Sequence, residues 1–394
     1  MGGNLTPVSG NERIHSIDAM RGFALLGIFL VNMIDFHSPF IYVDQIEYWG
    51  NQVNQWSMHV IDFFAQASFY PLFSFLFGYG FIIFRNRVLE RGGPFYPLMI
   101  RRLLFLMFLG VLHFTLIWHG DILFTYSLCG LVLLLFIKLK GTRLLQIGMI
   151  LWLIYAIFLF ILMLPLNAMD FTSHQPNAIQ QSIEVYSSGS FQEITEQRVS
   201  DWAYVNGGWN GFFLLFVILP FFLFGSGFAK KGWLNGDAAN LPIIRRLLFI
   251  GFVGFVIKFL PYILDSYAYL HLQDSFGGPL VSLFYIASFV LLYQSGKRIK
   301  VFEWVGKLAL SNYLFQSLVS TLIFYNYGLG FYGEVGVSTG ILLLLIIFFI
   351  QIVLSKVWLK SFAYGPLEWV WRLVTYQRRF AIKRKEETSF DEGH

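Results

Sequence analysis

Charged residues and cysteine are scarce in this chain of 394 residues. Asp, Glu, Lys and Arg make up 13% of the sequence, whereas a soluble domain carries about 25%. So little charge cannot cover a water-facing surface of this size, which argues against a soluble enzyme, a disordered protein and a nucleic-acid-binding protein. The sequence has one cysteine, Cys129, inside an apolar run, and a single thiol forms neither an intramolecular disulfide nor a cysteine-bound metal cluster.

Apolar residues are abundant instead, and they are arranged in long runs. They make up 56% of the chain, in stretches of about 20 residues, the length that a helix needs to cross a bilayer. We therefore predict an all-α, polytopic membrane protein with about ten transmembrane helices. The predicted spans lie roughly at 16–36, 60–84, 98–118, 121–138, 144–166, 209–229, 242–264, 277–295, 304–326 and 337–359.

The positions of Lys and Arg predict the orientation of these spans. With ten spans, nearly all of the 28 basic residues fall on one side of the membrane, and the opposite loops contain only Arg198. The positive-inside rule places the basic side and both termini in the cytoplasm. The first apolar run lacks a small-residue cleavage site and is predicted to be a retained span. We expect a multi-pass protein of the cell membrane.

The spans divide the chain into four segments. Ser190 and Glu193 have capping-box spacing, which predicts a short helix in the long external loop, acting as a lid or as a cover. Gly365 and Pro366 predict the start of an interfacial helix after the last span. The segments are an N-terminal transmembrane region at 1–166, the external loop at 167–208, a C-terminal transmembrane region at 209–359, and the interfacial helix with a basic tail at 360–394.

Two segments of the sequence resemble each other. Leu76-Phe77-Gly78-Tyr79-Gly80-Phe81 precedes Arg101-Arg102, and Leu223-Phe224-Gly225-Ser226-Gly227-Phe228 precedes Arg245-Arg246. The copies lie four spans apart and run in the same direction, which suggests a parallel four-helix repeat. The alternative is that Gly-x-Gly is simply a packing device of membrane helices.

Histidine and carboxylate residues cluster on the predicted external side. Asp35 and His37 end the first span, and His119-Gly120-Asp121 forms the hairpin before the fourth. A carboxylate beside an imidazole orients it and raises its basicity, as general-base catalysis requires. The alternative is structural, with Asp121 capping the fourth span. No recognised metal-ligand spacing is present, so we predict no metal site.

The predicted cytoplasmic side carries a dense group of arginines between spans two and three. It includes Arg101 and Arg102, which are suited to the phosphates of a nucleotide-like cofactor such as coenzyme A. The alternative is that these arginines bind lipid headgroups and fix the cytoplasmic side of the spans. There is no Walker loop or dinucleotide fingerprint in a suitable context, so ATP-driven transport and NAD chemistry lack support.

Several segments resemble the YeiB-like membrane family, known as the domain of unknown function 418. The matching segments run through nearly the whole chain in family order. They are Ser16-Ile17-Asp18-Ala19-Met20-Arg21-Gly22-Phe23-Ala24, Phe75 to Gly80, His119 to Leu123, Gly306 to Ser317, Tyr327 to Gly330, and Gly365 to Trp369.

That family is distantly similar to transmembrane acyltransferases such as heparan-α-glucosaminide N-acetyltransferase. The shared element is the first span, with Asp18, Arg21-Gly22 and Asn32. The resemblance implies transfer of an acyl group from cytoplasmic acyl-CoA to an external or lipid-linked acceptor. This sequence departs from the acetyltransferase at one place. The acetyltransferase has its essential histidine just before a Trp-containing stretch, whereas here no histidine stands directly before the matching Trp56.

On this hypothesis the candidate residues have assigned roles. Arg101 and Arg102 hold the phosphates of the donor, and Arg21 and Asn32 line its path. His119 or His37 is the base, oriented by Asp121 or Asp35. The alternative is a transporter or exporter of a small amphipathic or lipid-linked solute, coupled to protons. The expected partners are membrane lipids and the substrate, but no nucleic acid. A homodimer is one of the oligomeric states that the sequence leaves open.

Overall fold

The computed structural model describes residues 14–43, 48–165, 175–264, 267–379 and 381–384. Within these ranges the chain is helical, and its β structure is limited to an isolated bridge between Phe362 and Lys383. The prediction of an all-α fold is confirmed. The helices are α1 His15–His37, α2 Gln52–Phe64, α3 Phe69–Glu90, α4 Phe95–Leu116, α5 Leu123–Phe136, α6 Gly141–Met163, α7 Pro176–Ser188, α8 Phe191–Asn206, α9 Gly208–Lys231, α10 Leu241–Phe259, α11 Tyr267–Leu272, α12 Gly278–Gln294, α13 Lys300–Lys307, α14 Ala309–Phe324, α15 Val337–Ser361 and α16 Pro366–Tyr376.

Seven stretches of the described chain are long and apolar enough to cross a membrane. They are His15–His37, Gln52–Glu90, Phe95–Leu116, Gly141–Met163, Gly208–Lys231, Ala268–Gln294 and Val337–Ser361. The other three predicted spans coincide with α5, α10 and α14. Two of them are short: α5 and α14, with 14 and 16 residues, are about 21 and 24 Å long. The third, α10, carries the charged side chains Arg245, Arg246 and Lys258.

The second predicted span, 60–84, is interrupted in the structure. The helix is interrupted between α2 and α3, where Ala67 adopts a left-handed conformation with φ of 56°. With 22 residues, α3 is about 33 Å long and can cross the bilayer alone. The ninth predicted span, 304–326, is likewise divided into α13 and α14 at Leu308. These breaks place backbone carbonyl groups inside the bundle.

The two resembling segments pack against each other. A Cβ atom at Gly78 on α3 would collide with the carbonyl of Phe222 on α9, and one at Gly225 would collide with the carbonyl of Phe75. The contact is reciprocal, because Gly78 meets Phe222, three positions before Gly225, and Gly225 meets Phe75, three positions before Gly78. This is the contact expected of two parallel copies related by a two-fold axis along the helices.

The following helices extend this correspondence. Gly110 on α4 faces the backbone nitrogen of Phe124 on α5, and Gly254 on α10 faces that of Val281 on α12. Each glycine lies nine residues after the first arginine of its Arg-Arg pair. Both halves therefore pair the arginine-bearing helix with the next span through a glycine at the same position.

Large apolar side chains cover the outside of the bundle. On α15, Leu342, Leu345, Ile346 and Phe349 are each at least half exposed. Such a surface has no favourable contact with water but matches the hydrocarbon of a bilayer.

Two helices cover the bundle at the end where α1 finishes. The capping box predicted at Ser190 and Glu193 is present, with hydrogen bonds of 3.3 and 2.7 Å, and it begins α8. Sequence reasoning missed α7. The Arg198 guanidinium is buried and donates to the carbonyls of Leu116 and Ile117 at the end of α4. We call α7 and α8 the cover; the residues that precede them, 166–174, lie outside the described part of the chain.

The helix predicted after Gly365 is also present, as α16, and it is anchored by a carboxylate. Glu368 accepts hydrogen bonds from the backbone nitrogens of Leu310 and Ser311, at 2.7 and 3.1 Å. Trp371 donates to the carbonyl of Arg102 on α4, at 2.8 Å. These contacts fix α16 against the first turn of α14 and against α4.

Candidate functional site

A cavity of about 320 Å³ lies among α1, α3, α4, α14 and α16. Its charged part contains Asp18 and Arg21 of α1, which are 3.3 Å apart. The rest of that part is formed mainly by arginines, namely Arg87, Arg91, Arg102 and Arg372. Further along α1 the wall becomes apolar at Ile28. We call this space the basic cavity, and the end of the bundle that carries its arginines the basic end.

Arg102 is held in place by aromatic rings. Its guanidinium lies 3.6 Å from the ring centroid of Trp371 and 5.1 Å from that of Phe84. Stacking fixes the plane of the guanidinium and leaves its edge available for hydrogen bonds. The arrangement suits recognition of a phosphate group.

A second cavity of about 340 Å³ lies closer to the cover. Its polar lining includes Asn32, His271, Asp274, and the tyrosines Tyr70 and Tyr155. We call it the second cavity. Volumes of this size lie at the lower end of those of small-molecule sites.

The two cavities share part of their walls. Ile28, Ile122 and Tyr313 line both of them. The Tyr313 hydroxyl donates to the Gly120 carbonyl at 3.3 Å, and its ring lies 5.3 Å from that of His113. The cavities are therefore arranged end to end, and these three side chains, which we call the junction, separate them.

The four predicted donor residues are divided between these spaces. Arg21 and Arg102 line the basic cavity, whereas Asn32 lines the second cavity. The partly exposed Arg101 lines neither. Neighbouring residues on a helix point about 100° apart, and on α4 Arg102 is the one of the two that faces the basic cavity.

His119 forms the centre of a buried cluster below the cover. Its Nε2 lies 3.1 Å from Oδ2 of Asp35, and its Nδ1 lies 3.9 Å from Oδ2 of Asp201 on α8. Tyr42 and Tyr186 donate to Asp201 at 2.6 and 2.7 Å. Burial lowers the pKa of His119, but the two carboxylates outweigh that effect and raise the pKa above its usual value.

Asp121 pairs with a different histidine from the one expected. Its Oδ1 lies 2.9 Å from Nδ1 of His113, and its Oδ2 accepts from the backbone nitrogen of Phe124 at 2.8 Å. Asp121 therefore caps α5, as the structural alternative predicted. The turn at Gly120 directs the side chains of His119 and Asp121 to different sides of the hairpin.

His37 is surrounded by aromatic rings. It is fully buried, and its ring lies 5.7 and 5.5 Å from those of Trp49 and Phe324. Among the described residues, neither of its nitrogens has a hydrogen-bond partner. Of the two predicted bases, His119 is therefore the one with a carboxylate beside it.

Asp201 was missed in the sequence although a signal for it was present. Ile194, Gln197 and Asp201 share one face of α8, with spacings of three and four residues, and all three are buried. A carboxylate on the buried face of a short polar helix indicates a buried partner. The sequence gives no means of naming that partner, because His119 lies 82 positions earlier.

These features define a class of protein, a polytopic helical membrane protein with two adjoining internal cavities. A family model described as "Protein of unknown function (DUF418)" matches residues 228–378. Similarity over nearly the full length relates the chain to the uncharacterized protein YxaH of Bacillus subtilis (strain 168), at 36% identity over 97% of this chain and 99% of that protein.

Two further relatives match over similar lengths. An uncharacterized 39.9 kDa protein in the amylase 3' region of Bacillus acidopullulyticus is 31% identical over 97% of this chain and 99% of its own length. The uncharacterized protein YeiB of Escherichia coli (strain K12) is 28% identical over 92% and 96%. No solved structure matches. The chain belongs to this YeiB-like DUF418 family.

Proposed function

We propose that the protein is an acyltransferase of the cell membrane that uses cytoplasmic acyl-CoA to modify an external or lipid-linked acceptor. The observation that carries the proposal is the end-to-end arrangement of a basic cavity and a second polar cavity around one junction. The positive-inside rule orients the basic end towards the cytoplasm. A donor and an acceptor can then meet at the junction from opposite sides.

The basic cavity suits the chemistry of the donor. Arginine binds phosphate through paired hydrogen bonds, and Arg21, Arg87 and Arg102 line the charged part of the cavity. The apolar wall beyond them, which reaches Ile28, suits the acyl-pantetheine arm. The nucleotide would lie among the arginines and the thioester near the junction.

The reaction requires a base on the acceptor side. The acceptor hydroxyl or amine attacks the thioester carbonyl, a C–O or C–N bond forms, the C–S bond breaks, and the thiolate leaves. The base takes the proton of the nucleophile and returns it to the thiolate. We assign this role to His119, with Asp35 as the group that orients it; the adjacent Gly120 lines the second cavity.

Binding of acyl-CoA tests the proposal directly. We would measure acetyl-CoA binding by calorimetry with the protein in nanodiscs, and transfer with labelled acetyl-CoA. Arg102→Ala should weaken binding by about ten- to a hundredfold, since a hydrogen bond to a charged group contributes about 1.5–3 kcal/mol. Arg101→Ala is the matched control and should bind normally. Absence of binding to the unaltered protein, or equal effects of both variants, would contradict the proposal.

A second candidate function is a transporter of an amphipathic solute, for which the two adjoining cavities would form the path. The observation that favours it is the reciprocal packing of α3 and α9, because parallel repeats occur in transporters. Solute flux in proteoliposomes that rises with a pH gradient and ignores acyl-CoA would favour transport.

A further inference from the structure

We propose that the second cavity contains a binding site for one monovalent cation, a proton or Na⁺, at the Asp274 carboxylate. This inference does not depend on the proposed acyl transfer. It follows from the backbone around the cavity, from the balance of buried charges and from the hydrogen bonds of each charged group.

Two irregular pieces of backbone meet at this cavity. The first is the break between α2 and α3 at Gln66 and Ala67. The second is the π-helical turn Gln273–Gly277, which contains Asp274. A Cβ atom at Gly278 would collide with the carbonyl of Ala67, so the two pieces are in contact. Within a membrane, irregular backbone is tolerated where it is buried in protein or lines a cavity, and π-turns are frequent at functional sites.

A buried lysine completes the arrangement. Lys258 lies 12 residues after Arg246, about 18 Å along α10, and its side chain is fully buried. Its ammonium donates to the carbonyl of Gln66 at 2.6 Å, a group that the helix break leaves available. Ionisable side chains at such depth are costly and mark functional sites by default.

The charges around Lys258 do not balance. The ammonium interacts electrostatically with both Asp62 and Asp274. Asp62 is hydrogen-bonded as an anion, because both of its oxygens accept from Gln273 at 2.6 Å and one also accepts from Tyr262 at 2.7 Å. One ammonium thus faces two carboxylates, which leaves one negative charge uncompensated, and because Asp62 is already held by three hydrogen bonds, Asp274 is the carboxylate that can take up a cation.

One oxygen of Asp274 also lacks a donor. Its Oδ1 is buried and, among the described residues, has no hydrogen-bond partner. An uncompensated carboxylate in this setting is expensive unless it binds a proton or another cation. The same cavity is lined by residues whose oxygen atoms suit Na⁺, namely Gln66, Ala67, Ser275 and Asn32.

The remaining groups around the site are neutral or weakly basic. Besides Asp62 and Lys258, the described titratable groups that line the cavity or interact with Asp274 are His271, Tyr70, Tyr155, Tyr262 and Tyr313. None of these supplies a second permanent positive charge.

The cluster lies near, but not at, the equivalent positions of the internal repeat. Lys258 lies four residues after Gly254, and His113 lies three residues after the corresponding Gly110. In the first half His113 pairs directly with Asp121 at 2.9 Å. In the second half Asp274 has no such ion pair with any residue that the structure describes, which is why we infer an exchangeable cation there.

The test uses the full-length protein in nanodiscs without acyl-CoA. Infrared spectroscopy would follow the carbonyl band of a protonated carboxylic acid, identified by its shift in D₂O, across a pH series. Binding of ²²Na⁺ would be measured in parallel with choline as the replacement cation. The exposed Asp237 supplies the control variant. The unaltered protein and Asp237→Asn should show a titrating carboxyl band, saturable ²²Na⁺ binding, or both in competition.

Asp274→Asn should remove these signals, and Asp274→Glu should restore them if Asn alters folding. Lys258→Gln removes the neighbouring positive charge, so the carboxyl band should then persist to higher pH, and ²²Na⁺ should bind more tightly. A band without sodium binding identifies a proton site, and sodium binding alone identifies a sodium site. Signals that survive in a folded Asp274→Asn protein, or are absent from the unaltered protein, would overturn the proposal. Loss of acyl-CoA binding in Arg102→Ala has no bearing on this result.

Discussion

The imidazole of His119 lies 3.1 Å from the carboxylate of Asp35, although 84 positions separate the two residues in the sequence. The pair joins the end of α1 to the hairpin between α4 and α5. Through Asp201 the same imidazole also contacts the cover, at 3.9 Å. One imidazole therefore connects three separate parts of the chain.

We predict that this cluster makes stability depend on pH on the alkaline side. The pKa of His119 is raised, so its contribution is fully present below the ordinary pKa of histidine and is lost as the pH rises through the raised value. His119→Gln should lower the free energy of unfolding by about 3 kcal/mol at low pH, since it breaks a buried pair.

Thermal unfolding of the purified protein in detergent, recorded from pH 5 to 9, checks this prediction. The unaltered protein should lose stability towards the alkaline end, and His119→Gln should show a smaller change. Parallel pH profiles for the two proteins would mean that His119 carries no charge in the folded state.

A second titration is predicted at the basic end of the bundle. Burial raises the pKa of Glu303, but hydrogen bonds from Arg298 and Tyr293, at 2.6–3.0 Å, outweigh it and hold the pKa below its usual value. The stability that this carboxylate contributes is therefore present above the usual pKa of glutamate and is lost as the pH falls through the lowered value.

Glu303→Gln should accordingly flatten the acid side of the stability profile and leave the alkaline side unchanged. Chemical unfolding between pH 3 and 6 gives the comparison. The exposed Glu334→Gln is a suitable control, because that side chain forms no ion pair with the residues that the structure describes. If the two variants lose stability equally with acid, the Arg298–Glu303 pair does not contribute.

The internal repeat leads to a third prediction. Because Gly78 and Gly225 meet the opposing backbone, Gly78→Ala and Gly225→Ala should each cost about 1–3 kcal/mol through overpacking. Gly50→Ala is the control, since no atom lies within 4 Å of its added Cβ. Melting temperatures of the three variants would decide the matter, and equal values for Gly78→Ala and Gly50→Ala would refute close packing of α3 on α9.

The sequence predicted the parts of this structure that depend on local or average properties. Apolar runs and the capping box at Ser190 located helices correctly, because helix length and end signals are local. The breaks at Ala67 and Leu308 were not predicted, since hydropathy is continuous across them. Asp35 and Asp121 were both predicted as groups that orient the base, but the sequence did not show that His119 pairs with Asp35, and the contact with Asp201 was missed. Contacts between distant segments depend on how helices pack, and no residue spacing reveals them.

The junction between the cavities supplies a prediction that separates donor binding from acyl transfer. Ile28 lines both cavities, so Ile28→Trp should fill the space between them. Acetyl-CoA should still bind in the basic cavity, because the arginines are unchanged, but transfer should fall by at least about a hundredfold, as misplacement of reacting groups by about 1 Å can cost that much. Ile154→Trp, on the exposed surface of α6, controls for the added bulk and should keep both activities. If Ile28→Trp binds and transfers normally, donor and acceptor do not meet at the junction, and the route between the two cavities must be sought elsewhere in the bundle.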